Sequence, residues 1–296
     1  MIGFDGSMNT GLTLRTAHIT EHVAAVRAGA TLLFDSDPAA EERETRLKAR
    51  ALLETLAEAA AAEASPEAGP AEAREAASTT GDRGSLAEQP GAGLTVLLVD
   101  HQDSFVHTLA GYFAEAGAQV STLRAGFDPA LLDEFAPDLV VLSPGPGRPA
   151  DFDCDKLLSA LDERGLPAFG VCLGLQAMVE HAGGSLGLLA TPVHGKPGQV
   201  QVLGGELLAG LPAEFTAARY HSLHARREQV TGGFAVTAVT PDGVVMAIED
   251  GPRGRWAVQF HPESILTSQG RAGHQVVANV LRLCKQRTAS SAMRTR

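Results

Sequence analysis

The sequence predicts an α/β protein, a doubly wound and mostly parallel sheet preceded by a small α+β piece. The run Leu94-Thr-Val-Leu-Leu-Val-Asp100 is continuously apolar, as a central parallel strand reads when helices cover both faces. From there to about residue 181 strand-like and helix-like stretches alternate, the pattern of a layered α/β domain. Two glycine-containing turns, Pro144-Gly-Pro-Gly147 and Gly170-Val-Cys-Leu-Gly174, fall at the carboxyl ends of strands, where open α/β sheets bind ligands.

Residues 1–61 read as a hairpin followed by a helix. Alternation over residues 12–16, a turn near Glu21 and a second strand over residues 23–34 make the hairpin. Two strands bury too little surface to stand alone, so this piece needs something to pack on. Asp35-Ser-Asp-Pro38 opens a helix over residues 39–63, where Glu41, Glu44 and Lys48 share one face; judged alone, that is a solvated charged face. Residues 62–93 are Ala-, Glu-, Pro-, Ser- and Gly-rich with one large aliphatic, Leu86, and read as a flexible linker.

The main domain is expected over residues 94–285. Helices are predicted at 104–115 and 154–164, strands at 119–123 and 139–143, and another strand and helix on either side of Cys172. Beyond it the pattern turns β-like, with strands at 199–203, 234–239, 244–248 and 256–260 between turn signals. An amphipathic helix over residues 273–283 closes the domain, and residues 286–296 are expected to be disordered.

Composition narrows the function. A net charge of -11 without any block of Lys or Arg speaks against nucleic acid and anionic membranes as partners. Three widely spaced cysteines, Cys154, Cys172 and Cys284, fit neither a disulfide framework nor a zinc site and suggest a reducing compartment. No apolar run reaches membrane-spanning length, and the expectation is a cytoplasmic protein.

Cys172 stands at a strand-to-helix turn between Gly170 and Gly174, the placement of a nucleophile elbow. Amides opening a helix favour a thiolate and can donate to a developing oxyanion. Taken alone, a buried structural cysteine is the commoner role. A nucleophilic thiol needs a base, and the base an orienting group. Gln259-Phe-His-Pro-Glu-Ser264 offers both in His261 and Glu263, at the end of a predicted strand.

Six ordered motifs now point to a family. They are Leu98-Val-Asp-His-Gln-Asp-Ser-Phe105, Ser143-Pro-Gly-Pro-Gly147, Gly170-Val-Cys-Leu-Gly-Leu-Gln176, Val193-His-Gly-Lys196, Ala218-Arg-Tyr-His-Ser-Leu223 and Gln259-Phe-His-Pro-Glu-Ser264. Together they resemble the class I glutamine amidotransferases, specifically the anthranilate synthase and aminodeoxychorismate synthase subgroup. The resemblance implies a flavodoxin-like fold and a glutaminase that needs no cofactor. Cys172 would attack the glutamine side-chain amide, His261 would act as base and acid, and Glu263 would orient it. Gly145, Pro146, Gly147, Gln176, Ser222 and Leu223 would form the glutamine pocket, with the Gly147 and Leu173 amides as oxyanion hole. Leu175 departs from the histidine many relatives carry. His194, Lys196, His221 and His224 each stay open between a structural role and contact with a synthase partner.

The first 61 residues resemble the carboxyl-terminal end of a chorismate-binding domain, through Gly3-Phe-Asp-Gly-Ser-Met-Asn-Thr10, Leu14-Arg-Thr16, Gly29-Ala-Thr31 and Asp35-Ser-Asp-Pro38. By that resemblance Arg15 and the Gly29, Ala30 and Thr31 backbone would bind chorismate carboxylates. Glu44 would ligate magnesium, with Glu41 and Lys48 lining the same site. The chain is then expected to be the carboxyl-terminal part of a fused synthase, with the chorismate half fused upstream or supplied in trans, and the full-length form is a candidate homodimer. The expected function is to supply ammonia from L-glutamine for amination of chorismate to anthranilate in tryptophan biosynthesis. The alternatives are another chorismate aminase, of the aminodeoxychorismate or phenazine type, or a catalytically silent interaction fragment.

Overall fold

A computed structural model describes residues 16–20, 23–27 and 89–294. Near the amino terminus, β1 (Thr16–Thr20) pairs antiparallel with β2 (Val23–Arg27), Thr20 opposite Val23. The predicted hairpin is present with different bounds: its first strand runs beyond residue 16, because the alternation of Ala17 and Ile19 with Thr16, His18 and Thr20 continues. Residues 28–34, the helix expected over 39–63 and most of the expected linker lie outside the described residues. Among the described residues no helix is long and apolar enough to cross a membrane.

The larger unit is built on a nine-stranded sheet. Its elements in chain order are β3 (Thr95–Asp100), α1 (Val106–Glu115), β4 (Gln119–Arg124), α2 (Leu131–Phe135), β5 (Leu139–Leu142), α3 (Cys154–Arg164), β6 (Ala168–Val171) and α4 (Leu173–His181). They are followed by β7 (Gly187–Val202), β8 (Glu214–His224), β9 (Ala235–Val239), β10 (Val245–Asp250), β11 (Arg255–Val258) and α5 (Ala272–Arg294). Spatial order is β4-β3-β5-β6-β11-β10-β9-β7-β8. The first five are parallel to their neighbours, in the order of flavodoxin-like sheets; the last four extend the sheet antiparallel.

The apolar run that predicted the central strand divides between two cores. Val96 and Leu98 of β3 pack with Leu109 and Phe113 of α1 and Val276 and Val280 of α5. Leu97 and Val99 point the other way, with Leu158 and Leu161 of α3 and Leu175 and Met178 of α4. Alternation within Val96–Val99 therefore feeds two helical layers, which is why no polar residue interrupts those four positions.

Several boundaries differ from the sequence reading. Helix α1 starts at Val106, not Ser104, because Asp103 Oδ1 accepts the Phe105 N–H at 2.7 Å and closes a turn first. Ordered structure begins before residue 94, since the Gly91 N–H donates to Ala116 O at 2.8 Å and the Leu94 N–H to Gly91 O at 2.9 Å. The disordered tail expected from residue 286 is corrected as well: α5 continues through Arg294, a packed amphipathic start propagating into polar sequence. Strand β7 is longer than the predicted 199–203, and β8 was not predicted as a strand. Their register shifts twice: Leu188 pairs with Leu223 but Val193 with His221, so residues 189–192 bulge opposite Ser222.

At the back of the sheet His181, ending α4, bridges Asp155 and Asp162 of α3 at 2.6 and 2.9 Å, and Arg255 of β11 joins Asp162. Burial disfavours the His181 imidazolium, but hydrogen bonds and attraction to Asp162 and Asp155 outweigh it and raise its pKa above the usual 6.5. A raised folded pKa means the protonated form stabilises the fold. That contribution is full below about pH 6.5 and fades as pH climbs through the folded value. It is modest, because Asp155 is mostly exposed. Replacing His181→Asn should lower the melting temperature near pH 6 and leave it almost unchanged near pH 8.5, as thermal unfolding at the two pH values would register.

Candidate active site

Cys172 occupies the single residue between β6 and α4, with φ 52° and ψ −96°. The strained residue of this turn is Cys172 itself, and neither Gly170 nor Gly174 has a positive φ. The glycines serve by lacking side chains. A Cβ on Gly170 would lie 2.5 Å from the Gly174 carbonyl carbon, and one on Gly174 would lie 2.6 Å from Leu142 O. Strand, turn and helix can therefore press backbone to backbone against β5, and the Cys172 N–H donates to Val258 O of β11 at 2.8 Å. This fixes the sulfur at the carboxyl edge of the sheet, beside the unbonded first-turn amides of α4.

His261 arrives from the other direction. Its N–H donates to Ala218 O of β8 at 3.0 Å, and Thr267 Oγ1 donates to its carbonyl at 2.6 Å while accepting the Ala218 N–H at 2.9 Å. The imidazole lies at 4.8 Å from Tyr220 and 5.9 Å from Phe105, centroid to centroid. Its Nδ1 meets Glu263 Oε1 at 2.7 Å, both side chains being buried. The carboxylate accepts, so the proton sits on Nδ1 and Nε2 is left free. Nε2 is buried and makes no hydrogen bond of ordinary length, yet Cys172 is close enough to act on it. Burial works against the charged ring; hydrogen bonding and attraction from Cys172 and Glu263 prevail and hold its pKa well above 6.5.

A cavity of about 190 Å³ opens over the sulfur, lined by Gly145, Pro146, Gly147, Gln176, Ser222 and Leu223 together with Cys172. Leu173 differs: its side chain packs into the core, so only its backbone amide can bear on the cavity. The loop after β5 owes its path to two glycines. A Cβ on Gly145 would stand 2.7 Å from His101 Cβ, and Gly147 adopts φ 74°. Gln176 is buried, its Nε2 donating to Leu223 O at 3.2 Å and Gln259 Oε1 at 3.3 Å. Both its hydrogens are committed, so it can offer a ligand only its Oε1 acceptor. Leu175 points away into the core between α3 and α4.

Of the four residues left between structure and partner contact, His221 and His224 are buried, Lys196 is exposed and His194 lines the cavity. His221 donates from Nδ1 to Leu223 O at 2.8 Å and accepts the Arg219 Nε–H at 3.2 Å; burial, chiefly, lowers its pKa to about 4, so it stays neutral. Sequence reasoning quoted the motifs of His101, Phe105, Tyr220 and Gln259 without giving these residues roles. It gave no sign of Pro192, which reaches the cavity from the β7 bulge. His101 braces the glycine loop through Ser143 Oγ, at 3.0 Å from its N–H and 3.2 Å from Nδ1. The expected chorismate-site residues, Arg15, Gly29, Ala30, Thr31, Glu41, Glu44 and Lys48, lie outside the described residues.

The other two cysteines are buried thiols. Cys154 sits 3.6 Å from His101 Nε2, and Cys284 donates to Asp138 O at 3.1 Å; burial pushes each up to about 12. Only Cys172 both opens to the cavity and faces a histidine that can hold its proton. Iodoacetamide on the native chain should label Cys172 alone, and all three cysteines after denaturation, by peptide mass mapping.

The family model for class-I glutamine amidotransferases matches residues 97–280, and that for chorismate binding enzymes matches residues 1–54. An anthranilate synthase of Azospirillum brasilense is 55% identical over 280 residues, covering 95% of this chain and 36% of the relative, so the chain spans little more than a third of that protein. Anthranilate synthase component II of Haloarcula marismortui is 37% identical over 62% of the chain and 95% of its own length. Aminodeoxychorismate synthase of Streptomyces griseus is 41% identical over 63% of the chain and 25% of the relative. A glutamine amidotransferase structure from Thermotoga maritima shares the fold, with a TM-score of 0.50 at 15% identity over 66% of this chain and 97% of that one. The chain belongs to the class-I glutamine amidotransferase family.

Proposed function

We propose that the larger unit hydrolyses L-glutamine through Cys172, His261 and Glu263 and passes the ammonia to a chorismate-aminating site that makes anthranilate. The observation that carries the hydrolytic step is the 2.7 Å His261–Glu263 pair, which leaves the His261 Nε2 free beside a cysteine on a strained elbow. In this reading the Cys172 thiolate attacks the side-chain amide carbon, the C–S bond forms, and the negative charge on oxygen is met by the Gly147 and Leu173 amides. His261 gives its proton to the leaving nitrogen, the C–N bond breaks, and ammonia departs. Water then attacks the thioester as His261 takes its proton; glutamate leaves and the thiolate returns. A cavity of about 190 Å³ with the Gln176 Oε1 as an acceptor suits a small amino acid carrying an ammonium group.

The destination of the ammonia is argued from similarity. The Azospirillum anthranilate synthase matches across both parts of the chain, and the chorismate-binding match covers residues 1–54. Magnesium, if the chorismate half takes it through Glu44, has no role in the hydrolytic step. Three free cysteines fit the reducing cytoplasm proposed as its location. An aminodeoxychorismate-forming enzyme is the second reading, favoured by the Streptomyces relative.

Glutamate release by the full chain should be abolished by Cys172→Ala. Glu263→Gln should reduce kcat roughly 10²- to 10⁴-fold, the range general acid–base catalysis supplies. Activity surviving Cys172→Ala would sink the proposed nucleophile. With a chorismate-binding synthase half, glutamine and chorismate added, chromatography should find anthranilate. Aminodeoxychorismate instead would favour the second reading, and no glutamate release under any condition would favour a silent fragment.

A further inference from the structure

The nucleophile has a neighbour that neither the triad nor the glutamine pocket uses. Gln259 follows β11 and is fully buried, its N–H held by Met246 O at 2.9 Å. Its Nε2 lies 3.4 Å from the Cys172 sulfur and donates to it, a contact separate from His261's role as base. A carboxamide can turn either its oxygen or its nitrogen to a neighbour, and only the nitrogen suits a thiolate. Here the choice is dictated from further away. Leu223 O can only accept, so Gln176 turns its nitrogen towards it and donates its second hydrogen to Gln259 Oε1. With its oxygen committed, Gln259 faces Cys172 with N–H.

We propose that Gln259 is a further catalytic residue, whose carboxamide donates to the Cys172 sulfur while it carries negative charge and so favours the thiolate over both thiol and thioester. A thioester sulfur is a poor acceptor, so the bond weakens when the C–S bond forms and is regained when that bond breaks. The donor therefore makes the thiolate a better leaving group in the hydrolytic half of the cycle, without taking or giving a proton. That role rests on the proposed glutaminase reading; the contact itself does not.

The test is the pH dependence of Cys172 alkylation by iodoacetamide in the full chain, read beside glutaminase kinetics. The titratable groups around the sulfur are His261, with Glu263 behind it, from the segment after β11, His221 and Tyr220 from β8, and His194 from β7. All are kept in the variants. Gln259→Met should raise the alkylation midpoint by about one pH unit, the worth of one hydrogen bond to a charged group. It should also lower kcat about tenfold with little change in KM and let the glutamyl thioester accumulate in intact-mass spectra. Gln259→Glu, which keeps the size but replaces the donor with like charge, should raise the midpoint further, and it carries the comparison should Gln259→Met not fold. A midpoint that stays at the wild-type value would overturn the proposal, whatever happens to kcat. A shifted midpoint in a chain that releases no glutamate would keep Gln259 as donor and reject the glutaminase reading instead.

Discussion

The left-handed backbone of Cys172 is the constraint on which the rest of the structure depends. A non-glycine residue at φ 52°, ψ −96° costs on the order of 1–3 kcal/mol and persists only where its surroundings fix it. Those surroundings are three parallel strands. β6 delivers the residue, β11 takes its N–H, and β5 lies so close beneath α4 that Gly174 cannot carry a Cβ. Two cores, one on each face, keep these strands in register. The strain is thus held by the most buried part of the molecule, and its return is a sulfur projecting from the sheet edge at the mouth of a helix.

Nucleophile and base leave neighbouring parallel strands, β6 and β11, but only the base is tied to the antiparallel extension. Cys172 belongs to the parallel, flavodoxin-like half, whereas His261 is tied by backbone to Ala218 of the antiparallel extension and clamped there by Thr267. Their separation is therefore set by β11, which holds the Cys172 N–H through Val258 O and pairs on its other edge with the extension. Gln259 and Gln176 cross the same boundary through hydrogen bonds of fixed polarity.

Much of this was legible in the sequence, for physical reasons. The aliphatics at residues 96–99 had to be central because none of them could face water, and the turn at Cys172 was marked by the glycines around it. Even there the marking was indirect: glycine signalled close contact, and the strain fell on the cysteine between. Strand β8 and the first part of β7 were less readable. Gly195, Pro197 and Gly198 interrupt the alternation, and β7 meets β9 only at Gln201 and Val202, so most of it pairs on one side and tolerates proline. Gln259 could not have been singled out by pattern, since its meaning lies in a sulfur 87 positions away.

The bulge of residues 189–192 has a consequence for how this site could diversify. It belongs to a hairpin whose outer strand, β8, is the last in the sheet, so no further strand must adjust when the bulge changes length. The elbow beneath the cavity admits no side chain at Gly170 or Gly174, where an added Cβ would meet backbone atoms at 2.5–2.6 Å. The roof of the cavity is free to vary. Length and sequence of this edge loop can therefore change without disturbing the elbow beneath it.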